Sequence, residues 1–438
     1  MPAPPIADYE LIPYASLPIP TTAPELMAMT SWYHGGPRPP VEEFRALEIG
    51  CGDGTNLLGL AFYRPDAELF GVDKSPLHIA QAREGAQTLE LKNIQFSFGD
   101  AQARAAAFSE PFHYIIVHGV FSWIDDTARA AILEFCHELL GEDGIAYISY
   151  NTLPGWSVRG VVRDLIRRSG VLPTEGDPVS PSRDLVERLK PLLPSRDNKY
   201  AALLEEEFDR LFNHEDSYLA HEYFSEHNYA FWFRDFVEIA EKFGLDYVAE
   251  MQFNRPEGRV PADLYEALAE TGITGLHAEE MVDAICYRQF RMSLLCRSDA
   301  KRAQPFSTQD FGEITVASDS GDLAVNWPHG TRVDSAENSL LASFQSGDVN
   351  IRLREPVWGG TYSGYPKAHA LARFEAARGN ILTTPLHTMW PLDEGGRALV
   401  QRLDGSRSVA ELSIEFGVPI HEFVDQLCKW GLLESGPD

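Results

Sequence analysis

Five short apolar runs (RALEIG, AELFGV, NIQFSF, FHYIIVH and GIAYISY) follow one another between Arg45 and Tyr150, with amphipathic stretches between them. Apolar runs of strand length alternating with helix-period segments are the pattern of parallel strands joined by crossover helices. Such a sheet is covered on both faces, so its strands need no polar side. In residues 75–89, Ser75 can cap a helix and Pro76 suits its first position, and residues 125–140 carry apolar residues at helical spacing. The chain is therefore expected to be α/β with a doubly wound parallel sheet.

At 438 residues the chain has length for about three domains. Residues 1–40 are proline-rich, end in GGPRPP and cannot be helical throughout; they read as an N-terminal lid segment. Residues 41–156 hold the five runs. Residues 157–230 are charged and helical in pattern, an insertion. In 231–297, Phe233, Phe236, Val237, Ala240 and Phe243 mark one helix face, and LDYVAEMQF and FRMSLLC read as two more strands. The sheet is expected to end there, with a further helical insertion at 255–287. Residues 298–365 read as a linker or loosely built β segment. Residues 366–438 read as self-contained: three short helices and a closing strand, a winged-helix-like pattern.

Acidic residues outnumber basic ones 65 to 37, a net charge of −28. That balance disfavours nucleic acid and anionic membrane and favours a cationic partner. The C-terminal residues 391–438, with nine acidic and four basic side chains, are equally poorly suited to DNA. The five cysteines form no C-x-x-C, which argues against a disulfide framework or zinc site. His214, His221 and His227 are spaced by seven and six residues, not as metal ligands on one helix face. The N-terminus lacks a basic n-region and an unbroken apolar run, and no stretch approaches eighteen apolar residues. The expected location is cytoplasmic.

Glu48-Ile49-Gly50-Cys51-Gly52-Asp53-Gly54 lies between the first strand and the first helix of the sheet. Alternate glycines let the backbone turn tightly and approach a ligand. Glu48, two residues before the first glycine, suits a cation better than a pyrophosphate. Asp73, ending the second strand in GVDKS, is placed for ribose hydroxyls, and Asp100 in FGDA for an adenine amino group. Acid-glycine loop, ribose acid and adenine acid, in this order, resemble the class I S-adenosylmethionine-dependent methyltransferases.

The strings YIIVHGVFSW, AYISYNTLPGW, YLAHEYF, FRDFVEIAEKFGLDYVAE, RQFRMSLLC and LVQRLDGSRSVAEL carry the resemblance further. Together they are similar to methyltransferases with a methyltransferase regulatory domain, whose best-known members are the rickettsial outer-membrane-protein lysine methyltransferases. Where that family often has a histidine-proline pair, this chain reads Thr22-Ala23-Pro24. The resemblance implies a Rossmann-like class I methyltransferase sheet with helical insertions and S-adenosyl-L-methionine as cofactor. It implies a cofactor site among Glu48, Gly50, Cys51, Gly52, Gly54, Asn56, Asp73, Lys74, Asp100, Ala101 and His118. It further implies a protein or peptide substrate with lysine as acceptor, and leaves a homodimer open.

A lysine amine has a reference pKa near 10.4, so only roughly one part in 10³ is neutral at pH 7. Aromatic walls can desolvate it and hold its methylated product. Tyr14, Phe121, Trp123, Tyr150 and Trp156 lie in the strings around the strand exits. Tyr14, His118, Trp123 and Tyr150 are the candidate catalytic residues. Trp123 and Trp156 equally suit packing an insertion on the sheet. His118 reads either as a base or as a backbone contact to the cofactor. Two rival functions stay open: methylation of a peptide or small natural product, and cofactor binding by a non-catalytic regulatory protein.

Overall fold

The structure is a computed structural model describing residues 16–100, 108–173, 176–194, 198–252, 260–261, 263–304, 306–307, 310, 315–317, 350–353 and 361–435. The strands of the main sheet are β1 (Arg45–Ile49), β2 (Glu68–Asp73), β3 (Ile94–Phe98), β4 (Phe112–Val117), β5 (Leu140–Thr152), β6 (Ala230–Phe231), β7 (Leu245–Glu250) and β8 (Phe290–Arg297). They lie in the order β3-β2-β1-β4-β5-β8-β7, with β6 pairing the end of β5. Neighbours from β3 across to β5 are parallel, while β8 enters antiparallel between β5 and β7. This is the Rossmann-like methyltransferase sheet. The expected runs are its strands, although β5 extends well beyond GIAYISY at its start.

Alternation decides which side chain meets which layer. Tyr114, Ile116, Tyr147 and Leu294 face a layer made by α1 (Pro24–Tyr33), α2 (Thr55–Tyr63) and α3 (Pro76–Thr88), with Leu26, Met27, Leu57 and Ile79 opposite. Ile115, Val117, Ile148, Tyr150 and Leu295 face the other layer, which supplies Leu133 from α4 (Asp126–Leu139) and Phe236 and Val237 from α9 (Phe233–Glu241). Helices start where capping chemistry allows. Ser75 Oγ accepts from the His78 N–H with Pro76 at the first position, and Asp125 accepts from the Ala128 N–H.

Helices α5 (Ser157–Ser169), α6 (Val179–Leu189), α7 (Lys199–Asn213) and α8 (Asp216–Phe224) build a separate small core on Val162, Ile166, Phe208, Leu211 and Tyr223. Between β7 and β8 lie α10 (Leu264–Glu270) and α11 (Leu276–Ile285). Within the stretch read as a linker, β9 (Thr315–Ala317) and β10 (Asn350–Arg352) pair antiparallel.

The C-terminal segment contains α12 (Ala370–Arg378), the hairpin β11 (Ile381–Thr383) and β12 (Met389–Pro391), then α13 (Glu394–Arg402), α14 (Val409–Phe416) and α15 (His421–Lys429). The last three are the helices read from the sequence; the hairpin was not read. The segment has its own core, including Leu399, Leu412 and Leu427. It is not self-contained, however, because it docks on α2. A Cβ at Gly59 would lie 2.7 Å from Thr383 Cγ2, and Tyr63 Oη donates to the Thr383 carbonyl at 3.0 Å. Among the described residues no helix is long and apolar enough to cross a membrane.

Candidate active site

The glycine loop closes the C-terminal end of β1 and enters α2. Gly50, Gly52 and Gly54 all have left-handed φ, at 77°, 54° and 81°. A Cβ on Gly50 would sit 2.4 Å from Val120 Cγ2, and one on Gly54 2.7 Å from Phe96 Cζ. Glycine is thus required both by conformation and by space. Cys51 packs inward, and its buried thiol is pushed well up in pKa by desolvation. That position makes it part of the loop's packing.

Behind the loop, Glu48 is only 4% exposed. Its Oε1 accepts from Asn56 Nδ2 at 3.1 Å, while Oε2 has no partner among the described residues. Burial, offset in part by the Asn56 hydrogen bond and reinforced by Asp73 and Asp53, pushes its pKa up to about 8. A buried carboxylate oxygen beside a glycine cradle is chemistry suited to an ammonium.

Asp73 ends β2 at the loop. Its Oδ2 accepts from the Gly52 N–H at 2.9 Å and its Oδ1 from the Ser75 N–H at 2.8 Å, with His78 Nδ1 at 3.8 Å. Burial works to raise its pKa. The His78 hydrogen bond and these two backbone donors outweigh it, so the carboxyl is held low and ionised. Lys74 and Asp100 are exposed at the ends of β2 and β3. Ala101 lies outside the described residues.

His118 follows β4 and is half-buried. Its Nδ1 lies 3.0 Å from Tyr147 Oη, which lies 3.0 Å from Thr21 Oγ1, which lies 3.4 Å from Met292 Sδ. Each hydroxyl carries one proton, so the direction of the whole chain follows from where the Thr21 proton goes. With Thr21 donating to the thioether, Tyr147 donates to Thr21 and His118 Nδ1–H donates to Tyr147; with Thr21 donating to Tyr147, the tyrosine donates to His118 Nδ1. In the first arrangement Nε2 carries the lone pair, and in the second it carries the proton. Desolvation lowers the His118 pKa to about 4, so the ring is neutral at pH 7.

The expected aromatic wall is placed differently. Tyr150 is fully buried, stacks on Phe236 at 3.9 Å between ring centroids and pairs its hydroxyl with Ser293 Oγ at 3.1 Å. It belongs to the layer opposite Tyr147, because 147 and 150 differ by an odd number and strand side chains alternate. Phe121 is also core. Trp156 is buried, donates to Asn228 Oδ1 at 2.9 Å and lies under Arg159, packing the helical insertion on the sheet. Trp123, edge-on to Trp156, stays half-exposed after β4. Tyr14 lies outside the described residues.

Sequence reasoning missed Thr21, Tyr147 and His387. Tyr147 had a usable signal, since it shares the parity of Ser149, whose Oγ accepts from the Gly119 N–H at 2.8 Å at the β4 exit. Asn56 Oδ1 accepts from the Ile19 N–H at 2.8 Å and from His387 Nε2 at 2.7 Å. His387 lies 331 residues away in sequence, and no local pattern announces that contact.

A family model for a "Methyltransferase domain" matches residues 41–167, and one for a "Predicted methyltransferase regulatory domain" matches residues 215–297. The chain is 34% identical over 310 residues to the uncharacterized protein RP789 of Rickettsia prowazekii, covering 70% of this chain and 56% of that protein. It is 33% identical over 235 residues to the uncharacterized protein RP028 of the same organism, covering 53% of this chain and 94% of that protein. Among solved structures, PKMT2 from Rickettsia typhi in complex with AdoHcy matches with a TM-score of 0.80 at 21% identity, over 96% of this chain and 100% of that one. At that identity the likeness is one of fold.

Proposed function

Since the chain belongs to the S-adenosylmethionine-dependent methyltransferases that carry a predicted regulatory domain, we propose that it methylates lysine amines of a protein or peptide. When bound, the cofactor supplies a methyl group on a positively charged sulfur. In this reading Asp73 receives the ribose hydroxyls, the loop Gly50–Gly54 takes the backbone approach, and Glu48 Oε2 pairs the amino-acid ammonium. The observation that carries the cofactor site is the unpartnered, buried Glu48 Oε2 beside three left-handed glycines.

Methyl transfer asks the protein for alignment and exclusion of water. His118 is neutral, and with Nδ1–H given to Tyr147 its Nε2 can accept an N–H from the acceptor amine and point the nitrogen lone pair. With a pKa of about 4 it is a poor sink for a proton from an ammonium, so its role is orientation of an amine already neutral. Trp123 stands half-exposed in the segment that follows His118, edge-on to Trp156. The lysine reading rests on a net charge of −28, which draws cationic segments, and on the likeness to PKMT2.

The test uses the purified protein, methyl-labelled S-adenosylmethionine and a lysate of its source. Label on a protein, mapped by mass spectrometry to lysine, is the expected result. Label confined to small molecules overturns the acceptor while keeping the chemistry. Failure of wild type to bind the cofactor, or undiminished binding by Asp73→Ala, overturns the cofactor site.

A further inference from the structure

The turn between β11 and β12 reaches back to the glycine loop. His387 stands in that turn at φ 59°, a backbone state unusual for a residue with a side chain, and is 2% exposed. Its Nε2 lies 2.7 Å from Asn56 Oδ1, in contact with residues belonging to the first helix of the sheet. An amide oxygen only accepts, so Nε2 must carry the proton, and Nδ1 is left as a lone pair with no partner among the described residues. Glu25, Arg64 and Arg352 form the charged surroundings of the ring. Arg352 Nη1 binds the Leu386 carbonyl at 2.7 Å and Glu25 Oε1 at 3.1 Å, and Arg64 Nη2 binds the same Glu25 oxygen at 2.8 Å.

Asn56 is therefore a junction. Its oxygen takes N–H groups from Ile19 in the N-terminal segment and from His387 in the C-terminal segment. Its amide nitrogen gives to Thr22 Oγ1 and Glu48 Oε1, each at 3.1 Å. Reversing the amide would set its NH₂ against the Ile19 N–H, which can only donate, so that N–H dictates which end faces Glu48, and His387 Nε2–H adds a second donor to the same oxygen.

We propose that His387 is a positioning residue for the cofactor site: its N–H is the second donor to the Asn56 oxygen and steadies the amide that holds Glu48 Oε1 and directs Oε2 to the cofactor ammonium. The inference rests on the cofactor reading above. The C-terminal segment thereby contributes to cofactor affinity without touching the cofactor, and by reciprocity cofactor binding must tighten the docking of that segment.

The experiment measures S-adenosylhomocysteine binding by calorimetry for the full chain and its variants. His387→Phe, which fills the space but donates nothing, is expected to weaken binding about tenfold, as loss of one buried hydrogen bond would. His387→Gln, which keeps a donor, is expected to bind within about threefold of wild type. Hydrogen exchange on the wild-type protein supplies a variant-free readout: the ligand should slow exchange across residues 384–388. Equal affinity in His387→Phe, or exchange in 384–388 indifferent to the ligand, overturns the coupling. In that case binding by wild type and its loss in Asp73→Ala leave the cofactor site standing. Absence of wild-type binding overturns both.

Discussion

The hydroxyl of Tyr147 and Nδ1 of His118 are 3.0 Å apart, a contact that ties the histidine tautomer to the direction of the hydroxyl chain. Tyr147→Phe keeps the ring that fills the sheet core but strips His118 and Thr21 of their shared partner. Stability is expected to fall by about 1–3 kcal/mol. Labelled-methyl incorporation should fall about ten- to hundredfold with cofactor affinity nearly unchanged, since the relay serves the acceptor. In wild type, ¹⁵N spectra of His118 should report the Nδ1-protonated neutral ring down to about pH 4. An Nε2-protonated ring at pH 7 would refute the orienting role of Nε2.

Glu48 carries its proton at pH 7, because burial raises its pKa to about 8. Pairing with the cofactor ammonium favours the carboxylate, so binding at pH 7 should release close to one proton. Calorimetry in buffers of different ionisation enthalpy measures that number, and Glu48→Gln should bring it to zero. The same raised pKa costs the ligand-free fold stability as pH climbs from Glu48's ordinary value of 4.5 through about 8, since the native state holds a proton that the unfolded chain has lost.

Glu25 is buried between Arg64 and Arg352; burial works to raise its pKa, but these two guanidinium groups, a backbone hydrogen bond and His387 together hold its carboxyl below the ordinary value of 4.5. Glu25→Gln leaves two buried guanidinium groups without their counter-charge, and a loss of about 3–5 kcal/mol in urea unfolding is expected. In wild type this stability is present above pH 4.5 and drains as pH falls through the lower native pKa, whereas the variant should lack that slope.

The sheet was legible because its information is local. Each apolar run announced one strand, and Ser75 with Pro76 announced where a helix began. The glycine loop with Asp73 was legible for the same reason, since both lie at strand ends. Tyr150 was misplaced because its nearness to a strand end was weighed without its parity, which sends it to Phe236 rather than toward His118. The junction at Asn56 was beyond reach: Ile19 and His387 approach it from opposite ends of the chain. Glu25, on a helix in a segment read only as a lid, gives no hint of the Arg352 that neutralises it.

The sheet also imposes an order on synthesis. β5 is an inner strand, yet its long partner β8 is encoded some 140 residues later, and β6 covers only Asn151 and Thr152. At 5–20 residues per second, a nascent chain would present the open edge of β5 for roughly 7–28 s before Phe290 emerges. The run Ile145–Tyr150 on that edge is apolar but for Ser149 and is wholly buried in the finished protein. During that interval it is an adhesive surface, and the length of the insertions sets how long it stays open.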